Sequence, residues 1–248
     1  MQHEAILPIQ LKELKLATIL KQWQEIEIKA RDRQWNYSAY LSKLCEIELE
    51  HRHSNRLQRR IKESKLPKDK TLSSFKFKDS SVKAEQINAL AQSDSWVQSA
   101  NNLIIFGPSG VGKTHIASAV AYRQIELGAR AKFYLTSHLV QELQAAKVQF
   151  RLQHELNKLD KIPLLVLDDI GYIKKDEAET SVLFELICQR YETGSLIITA
   201  NQPFSEWDKI FPDNMMAVAA IDRLIHHATV INMEGDSYRM KKKIIKKI

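Results

Sequence analysis

A glycine-rich turn that ends in a lysine and a hydroxyl is the strongest chemical signal in the sequence. Its spacing, Gly107-x-x-x-x-Gly112-Lys113-Thr114, follows an apolar run and precedes a helical pattern. Glycines let the main chain wrap closely around phosphate oxygens, and the amides of such a turn donate to the anion. Lys113 is expected to contact the β- and γ-phosphates of ATP, and the Thr114 hydroxyl to coordinate Mg²⁺. The predicted phosphate-binding residues are Gly107, Pro108, Ser109, Gly110, Val111, Gly112, Lys113 and Thr114.

Two carboxylates, Asp168 and Asp169, directly follow the apolar run Leu164–Leu167. An acid at the carboxyl end of a buried strand can reach Mg²⁺ through water, and we assign this role to Asp168. Asp169 is the candidate to polarise the water that attacks the γ-phosphate. The alternative is an acidic helix start that performs no chemistry.

Asn201 ends a further apolar run, Leu196–Thr199, after one alanine. In a parallel sheet its side chain would emerge at the same edge as Asp168, within reach of a γ-phosphate or its attacking water. This position describes a residue that senses the nucleotide. An asparagine after a strand is alternatively a simple turn former.

Two arginines late in the chain are candidates for contacts with phosphate. Arg223 lies in a predicted helix over residues 219–227, and Arg239 begins a later helical segment. One of them could act on the nucleotide of a neighbouring subunit and the other on its own, because an inserted arginine stabilises the charge of a transferring phosphoryl group. Each could instead form a solvated surface ion pair. The adjacent histidines of this helix, His226 and His227, would not face one point, so we expect a structural role rather than a metal site.

Short apolar runs alternate with helical patterns from about residue 71 onwards. Their near-continuous hydrophobicity is typical of strands buried on both faces. The pattern predicts a doubly wound α/β domain, a parallel sheet flanked by helices. The five predicted strands are Leu103–Phe106, Ala131–Leu135, Leu164–Leu167, Leu196–Thr199 and Thr229–Asn232.

The first 66 residues show helical spacing without a strand pattern. Apolar positions predict one helix over residues 3–33, and Ser38 is expected to cap a second helix that runs towards Ile61. The polar, proline-containing stretch that follows reads as a linker. We therefore predict a helical N-terminal domain over 1–66, a linker over 67–74 and a nucleotide-binding domain over 75–248 with a basic C-terminal tail.

The charge of the chain favours a polyanionic partner. Its formal net charge is +7, and four arginines, Arg52, Arg56, Arg59 and Arg60, lie broadly along one face of the second helix. Such cations would bind the phosphates of DNA without selecting sequence. The alternative is a solvated helix face. The two cysteines form no metal-binding motif, and no run is long and apolar enough for a membrane span, so we expect a reduced, cytoplasmic protein without membrane contact.

From Phe106 to Arg239 the sequence closely resembles the IstB-type ATP-binding proteins, the AAA+ helpers of transposases encoded by insertion sequences. The resemblance covers more than half of the chain, and the N-terminal helical region also looks like that of the family. It rests on the phosphate-binding loop, Asp168-Asp169-Ile170-Gly171-Tyr172, Thr199-Ala200-Asn201-Gln202-Pro203-Phe204, Trp207, Phe211, Asp222-Arg223-Leu224, His226-His227 and Gly235-Asp236-Ser237-Tyr238-Arg239.

The resemblance implies an AAA+ fold and a set of residue roles. Asn201 would be the sensor I residue, Arg223 the arginine finger and Arg239 the sensor II residue on a truncated lid. It also implies duplex DNA binding that is largely independent of sequence, a partner transposase, and a homo-oligomer that holds ATP at subunit interfaces. With the residues above, the expected catalytic set is Lys113, Asp169, Asn201 and Arg223.

Two other functions share parts of this pattern. DnaC-type helicase loaders, which the core also resembles, would bind single-stranded DNA and a replicative helicase. A small-molecule kinase would share the phosphate-binding loop and the carboxylate strand, but the sequence has no evident signature of an acceptor pocket. A preference for duplex over single-stranded DNA would favour the transposition helper.

Overall fold

The computed structural model describes residues 2–172, 177–209 and 214–238 of the chain. Of the residues singled out above, Phe211, Arg239 and the tail 240–248 lie outside this part. The chain divides into two compact units, Met1–Arg59 and Arg60–Ile248, and the boundary falls within a long helix. The predicted domain limits, 1–66 and 75–248 with a linker between them, stay a prediction.

The first unit contains three helices: α1, Gln2–Glu13; α2, Ala17–Asp32; and α3, Tyr37–Ser64, which continues into the second unit. Its core is formed by Leu11, Ile19, Ile26 and Leu44, with tryptophan and tyrosine rings packed around them. The prediction of one unbroken helix over residues 3–33 is wrong.

A left-handed turn ends α1 and separates it from α2. Lys15 has a φ of 56°. The amide of Leu16 donates to the carbonyl of Leu11 at 2.9 Å, and that of Lys15 to Lys12 at 3.1 Å. This pair of bonds is the Schellman arrangement, which satisfies the last carbonyls of a helix. Apolar spacing alone could not reveal it, because the usual glycine is absent.

Asn36, rather than the predicted Ser38, caps α3. Its Oδ1 accepts a hydrogen bond of 2.8 Å from the amide of Ala39, three residues further on. This satisfies one of the donors that every helix start leaves unpaired. The helix consequently begins at Tyr37, one residue before the predicted cap.

The Glu48 carboxylate of α3 caps the start of α2 across the first unit. One oxygen accepts from the amides of Thr18 at 2.9 Å and Ile19 at 3.2 Å, and the other from Nε of Arg52 at 2.8 Å. Burial acts to raise the pKa of Glu48, but the hydrogen bonds from Arg52, Ile19 and Thr18 outweigh it and hold the pKa below its usual value. The buried, charged carboxylate of Glu48 therefore joins α3 to the start of α2.

We expect Glu48→Gln to lower the free energy of unfolding by about 1–3 kcal/mol at neutral pH, because a charged acceptor for buried donors is lost. A pKa that is lower in the folded chain stabilises above the unfolded pKa, and this stabilisation is lost as the pH falls through the folded value. Urea unfolding at neutral and strongly acidic pH tests this, since the gap between wild type and variant should shrink in acid. Glu50→Gln, at an exposed position of the same helix, is the control, and an equal loss there would contradict the prediction.

A five-stranded parallel sheet organises the second unit, in the order β2-β3-β4-β1-β5. All five predicted strands are confirmed, each within one residue of its predicted limits. Since the chain order is rearranged in the sheet, β4 is the middle strand, and the carboxyl end of β1 lies between those of β4 and β5. The strands are β1, Asn102–Phe106; β2, Ala131–Leu135; β3, Leu164–Asp168; β4, Ser195–Ala200; and β5, Ala228–Asn232.

Helices cover both faces of the sheet, as buried strands require. On one face α6 contacts β1 to β4, and α4 packs on α6. On the other, α7 to α10 form the main apolar core together with the inward side chains of β1, β3 and β4. None of the described helices is long and apolar enough to cross a membrane. The helices of the second unit are α4, Ala84–Gln92; α5, Ser95–Gln98; α6, Lys113–Glu126; α7, Thr136–Val148; α8, Leu152–Asp160; α9, Glu177–Arg190; and α10, Asn214–Ile225.

Candidate functional site

Lys113 begins α6 directly after the phosphate-binding loop, and its side chain is buried. Its Nζ donates to the carbonyl oxygens of Gly107 at 2.7 Å and Pro108 at 2.9 Å, and to Oδ1 of Asn201 at 2.6 Å. The structure thus brings Lys113 and Asn201 together at the carboxyl edge of the sheet, where the parallel-strand rule places them. A phosphate at this loop would compete for the same N–H donors.

The phosphate-binding loop contacts the segment that follows β5. The amide of Tyr238 donates to the carbonyl of Gly110 at 3.1 Å. Gly110 has a φ of 90°, and a Cβ at this position would collide with the side chain of Ser237. Glycine is therefore required here both for the turn and for the close approach. Ser237 and Tyr238 of the predicted motif therefore lie beside the loop, whereas Arg239 lies outside the described residues.

The carboxylate of Asp168 ends β3 and is held by a buried threonine that the sequence analysis gave no role. Thr199 of β4 donates from its hydroxyl to Oδ1 of Asp168 at 2.7 Å and accepts from the amide of Asp169 at 2.9 Å. Thr136 donates to the carbonyl oxygen of Asp168 at 2.8 Å. A hydroxyl within a strand buried on both faces must find a partner, and that was the available signal for Thr199.

Asp169 has a left-handed backbone, with a φ of 58°, and lines the cavity beside the loop. Left-handed conformations are uncommon for residues other than glycine, asparagine and aspartate. Asp168, by contrast, is almost fully buried, at 3% exposure. The two adjacent carboxylates therefore lie in different environments, and their two roles stay predictions.

The cavity next to the loop has a volume of ≈570 Å³, a size that suits a nucleotide. Part of its wall comes from the stretch predicted as a linker and from the residues after it, including Asp69, Ser74 and Phe75. The ring of Phe75 packs edge-on against His115 of α6 at 5.1 Å. Nε2 of His115 lies 2.9 Å from the carbonyl oxygen of Thr71. Sequence reasoning missed this wall, because its residues resemble an ordinary polar connection.

Thr114 and Asp168 are the residues predicted to hold Mg²⁺, and their chemistry fits that ion. A threonine hydroxyl and a carboxylate supply hard oxygen ligands, which Mg²⁺ prefers while it retains several waters. Thr114 lines the cavity. Asp168 is buried and its Oδ1 accepts a hydrogen bond from Thr199, and its contact with Mg²⁺ through water stays a prediction.

Arg223 lies on α10, and within the described parts of the chain it is not among the residues that line the cavity. Its Nη1 donates to the carbonyl of Ala219 at 2.9 Å, and its guanidinium lies 5.8 Å from the ring centroid of Phe184 on α9. The structure therefore does not bring Arg223 together with Lys113 and Asn201 within one chain.

The four arginines predicted to bind DNA differ in their surroundings. Arg52 is tied to Glu48 and, through Nη2, to the carbonyl of Lys15 at 2.8 Å. Arg60 donates to the carbonyl of Gly128 at 2.6 Å. Arg56 and Arg59 are exposed on α3. Arg52 thus has a structural role, whereas DNA contact by any of the four stays a prediction.

The sequence has clear relatives over most of its length. A profile of the family described as IstB-like ATP binding protein matches residues 9–245. An insertion-sequence ATP-binding protein of Sinorhizobium fredii is 46% identical over 239 residues, which cover 96% of this chain and 80% of that protein. The ATP-binding protein of insertion sequence IS21 from Pseudomonas aeruginosa is 35% identical over 242 residues, which cover 97% and 90%.

Solved structures share the fold at low sequence identity. The crystal structure of the DnaC helicase loader aligns with a TM-score of 0.55 and 20% identity, over 67% of this chain and 98% of that one. AMPPCP-bound DnaA from Aquifex aeolicus aligns with a TM-score of 0.56 and 18% identity, over 74% and 57%. These likenesses establish an α/β P-loop NTPase fold. Because the family profile spans nearly the whole chain, this chain belongs to the IstB-like ATP-binding proteins, which are AAA+ P-loop NTPases.

Proposed function

We propose that the chain is a Mg²⁺-dependent ATPase that assembles into oligomers on duplex DNA and assists a partner transposase, by capturing or delivering target DNA. The observation that carries the ATPase is the meeting of Lys113, Asn201 and Asp169 around one cavity. The relatives named as insertion-sequence ATP-binding proteins support the link to transposition.

Within this proposal the bound ATP supplies the phosphoryl group, and Mg²⁺ neutralises its charge. The loop amides and Lys113 would bind the phosphates, and Thr114 and Asp168, whose Oδ1 accepts from Thr199, would hold the magnesium ion directly or through water. Asp169 would accept a proton from the attacking water as its oxygen bonds to the γ-phosphorus and the bond to the departing ADP breaks, and Asn201 would orient that water or the γ-phosphate. Both the magnesium ion and the attacking water would thus be held by side chains at the carboxyl ends of parallel strands.

A shared site between two copies of the chain is supported by α10. Three apolar side chains, Met215, Val218 and Ile225, lie exposed on one face of this helix at 82%, 67% and 38%. Exposed apolar side chains grouped on one helix face are typical of a contact surface, and exposed Asp222 lies among these three. Arg223 points about 160° around this helix from Ile225, so it lies beside the apolar face rather than on it. It does not line the cavity of its own chain, and on that ground we assign it to the nucleotide of a neighbour.

With ATP and Mg²⁺ present, we expect the chain to bind duplex DNA at least about tenfold more tightly than single-stranded DNA of the same length at the same salt concentration. The duplex has the higher density of phosphate charge, so each contact with a cationic side chain releases more counterions. Fluorescence anisotropy measures both affinities. Lys113→Ala should abolish the part of the binding that depends on ATP. Preference for the single strand would contradict the proposal and favour a helicase loader.

The contribution of α3 to DNA binding can be measured in the same assay. Arg56→Ala should reduce the slope of log affinity against log salt by about one, because one phosphate contact is lost. Lys161→Ala, which removes the same charge from an exposed position of the second unit, is the matched control. Equal slopes for wild type and Arg56→Ala would exclude this arginine from the interface.

A further inference from the structure

Two turns at the amino edge of the sheet bring three potential metal ligands together. Glu192 lies in the turn between α9 and β4, and His226 and His227 lie in the turn between α10 and β5. The prediction that the two histidines continue a helix is wrong, since α10 ends at Ile225. The reason for expecting them to diverge therefore no longer applies.

The three side chains are close enough to share one ion. Their potential ligand atoms all lie within 4.8 Å of one another, and the two imidazole centroids are 4.1 Å apart. In a tetrahedral zinc site, ligand nitrogens and oxygens are separated by about 3.3 Å, given metal–ligand distances near 2.0–2.1 Å. All three side chains are exposed, so rotation about side-chain bonds can close the remaining distance.

The surroundings of the cluster favour a cation. The Tyr191 hydroxyl lies 3.0 Å from Nδ1 of His226, which makes Nε2 the ring nitrogen directed to a metal. Metal-binding histidines commonly make such a bond with their other nitrogen. The Glu192 carboxylate lies beside the two imidazoles and supplies the negative charge of the cluster.

We propose that Glu192, His226 and His227 bind a divalent late transition-metal ion of the Zn²⁺ class at the surface. Two imidazoles and one carboxylate match the ligands of zinc, whereas Mg²⁺ and Ca²⁺ select oxygen ligands. The site lies at the amino ends of β4 and β5, whereas the nucleotide cavity lies at the carboxyl ends of the strands. A metal here would link the end of α10, which carries Arg223, to the turn before β4.

The test uses the full chain without nucleotide or Mg²⁺, in competition with a chromogenic zinc chelator. We expect one Zn²⁺ per chain at this site. Glu192→Gln should weaken binding at least tenfold, and the double variant His226→Ala/His227→Ala should remove it. The control is His51→Ala/His53→Ala, which removes an exposed histidine pair of α3 and should leave the affinity unchanged. A large excess of Mg²⁺ should not displace the zinc.

Histidine-ring NMR of the wild-type chain makes the result independent of how the variants fold. Zinc should shift the ring signals of two of the eight histidines, and Co²⁺ should give the visible absorption of a site with nitrogen ligands. Unchanged zinc affinity in the double variant, loss of binding in the control, or shifts in a different set of histidines would each overturn the proposal. Because ATP is absent, none of these outcomes depends on the proposed ATPase activity.

Discussion

Arg223→Ala is expected to reduce ATP turnover by about 10³–10⁵-fold while ATP affinity stays close to that of the wild type. An arginine supplied to the transferring phosphoryl group stabilises charge that develops only in the transition state, so its loss lowers turnover without weakening ground-state binding. Turnover under saturating ATP, together with binding of a fluorescent ATP analogue, measures the two effects separately.

Mixing two inactive variants tests whether Arg223 acts on a neighbour. Arg223→Ala keeps an intact phosphate-binding loop, and Lys113→Ala keeps the arginine. In an equimolar mixed oligomer, about a quarter of the sites would combine an intact loop with an intact arginine from the next chain, if copies mix at random around a head-to-tail interface. We therefore expect the mixture to recover activity that neither variant has alone.

The mixing experiment also has a clear negative result. If Arg223 acted within its own chain, no mixture could recover activity, because every copy would lack one of the two groups. Unchanged turnover of Arg223→Ala alone would exclude the arginine from the reaction altogether. A matched control is Arg123→Ala, a surface arginine paired with Glu126 on α6, which should turn over ATP like the wild type.

The position of Arg223 illustrates which parts of the site a sequence can predict. The strands and their polar ends were predictable, because buried parallel strands are continuous apolar runs and their carboxyl ends meet at one edge. That rule places Asp168, Asn201 and Lys113 together without coordinates. It says nothing about the orientation of a helix such as α10, which is set by packing against α9.

Helix caps and turns were harder to predict, since several neighbouring residues could have taken each role. Asn36 and Ser38 are both good caps, and only the hydrogen bond to Ala39 distinguishes them. Lys15 has a left-handed backbone conformation, which a lysine in the sequence does not predict. Likewise, the turn that follows Ile225 brings His226 and His227 together, whereas a continued helix would have separated them.

Contacts between distant segments were the least predictable part of the site. The cavity wall around Phe75 and the contact of Ser237 and Tyr238 with the phosphate-binding loop are formed by segments that meet only in the folded chain. Thr199 is an intermediate case, because its burial within a strand predicts a partner but not which one. The chemistry at the strand ends was therefore predictable, whereas the groups that support it were not.

Asp169→Asn is expected to lower the rate of ATP hydrolysis by about 10²–10⁴-fold, the usual contribution of a positioned general base. Asparagine tolerates a left-handed backbone, so the φ of 58° at this position can be kept. ATP affinity and the Mg²⁺ concentration for half-maximal activity should stay near the wild-type values. Single-turnover hydrolysis across a Mg²⁺ titration measures all three quantities.

Asp168→Asn gives the contrast that separates the two carboxylates. Its charge is held beside Thr199 rather than in the open cavity, so we expect a higher Mg²⁺ requirement together with slower hydrolysis. Thr199→Val should shift the Mg²⁺ requirement in the same direction, since Oδ1 of Asp168 loses its donor. If Asp169→Asn instead raised the Mg²⁺ requirement and kept the rate at saturating Mg²⁺, Asp169 would be a metal ligand, and the attacking water would have to be polarised by another group at the cavity.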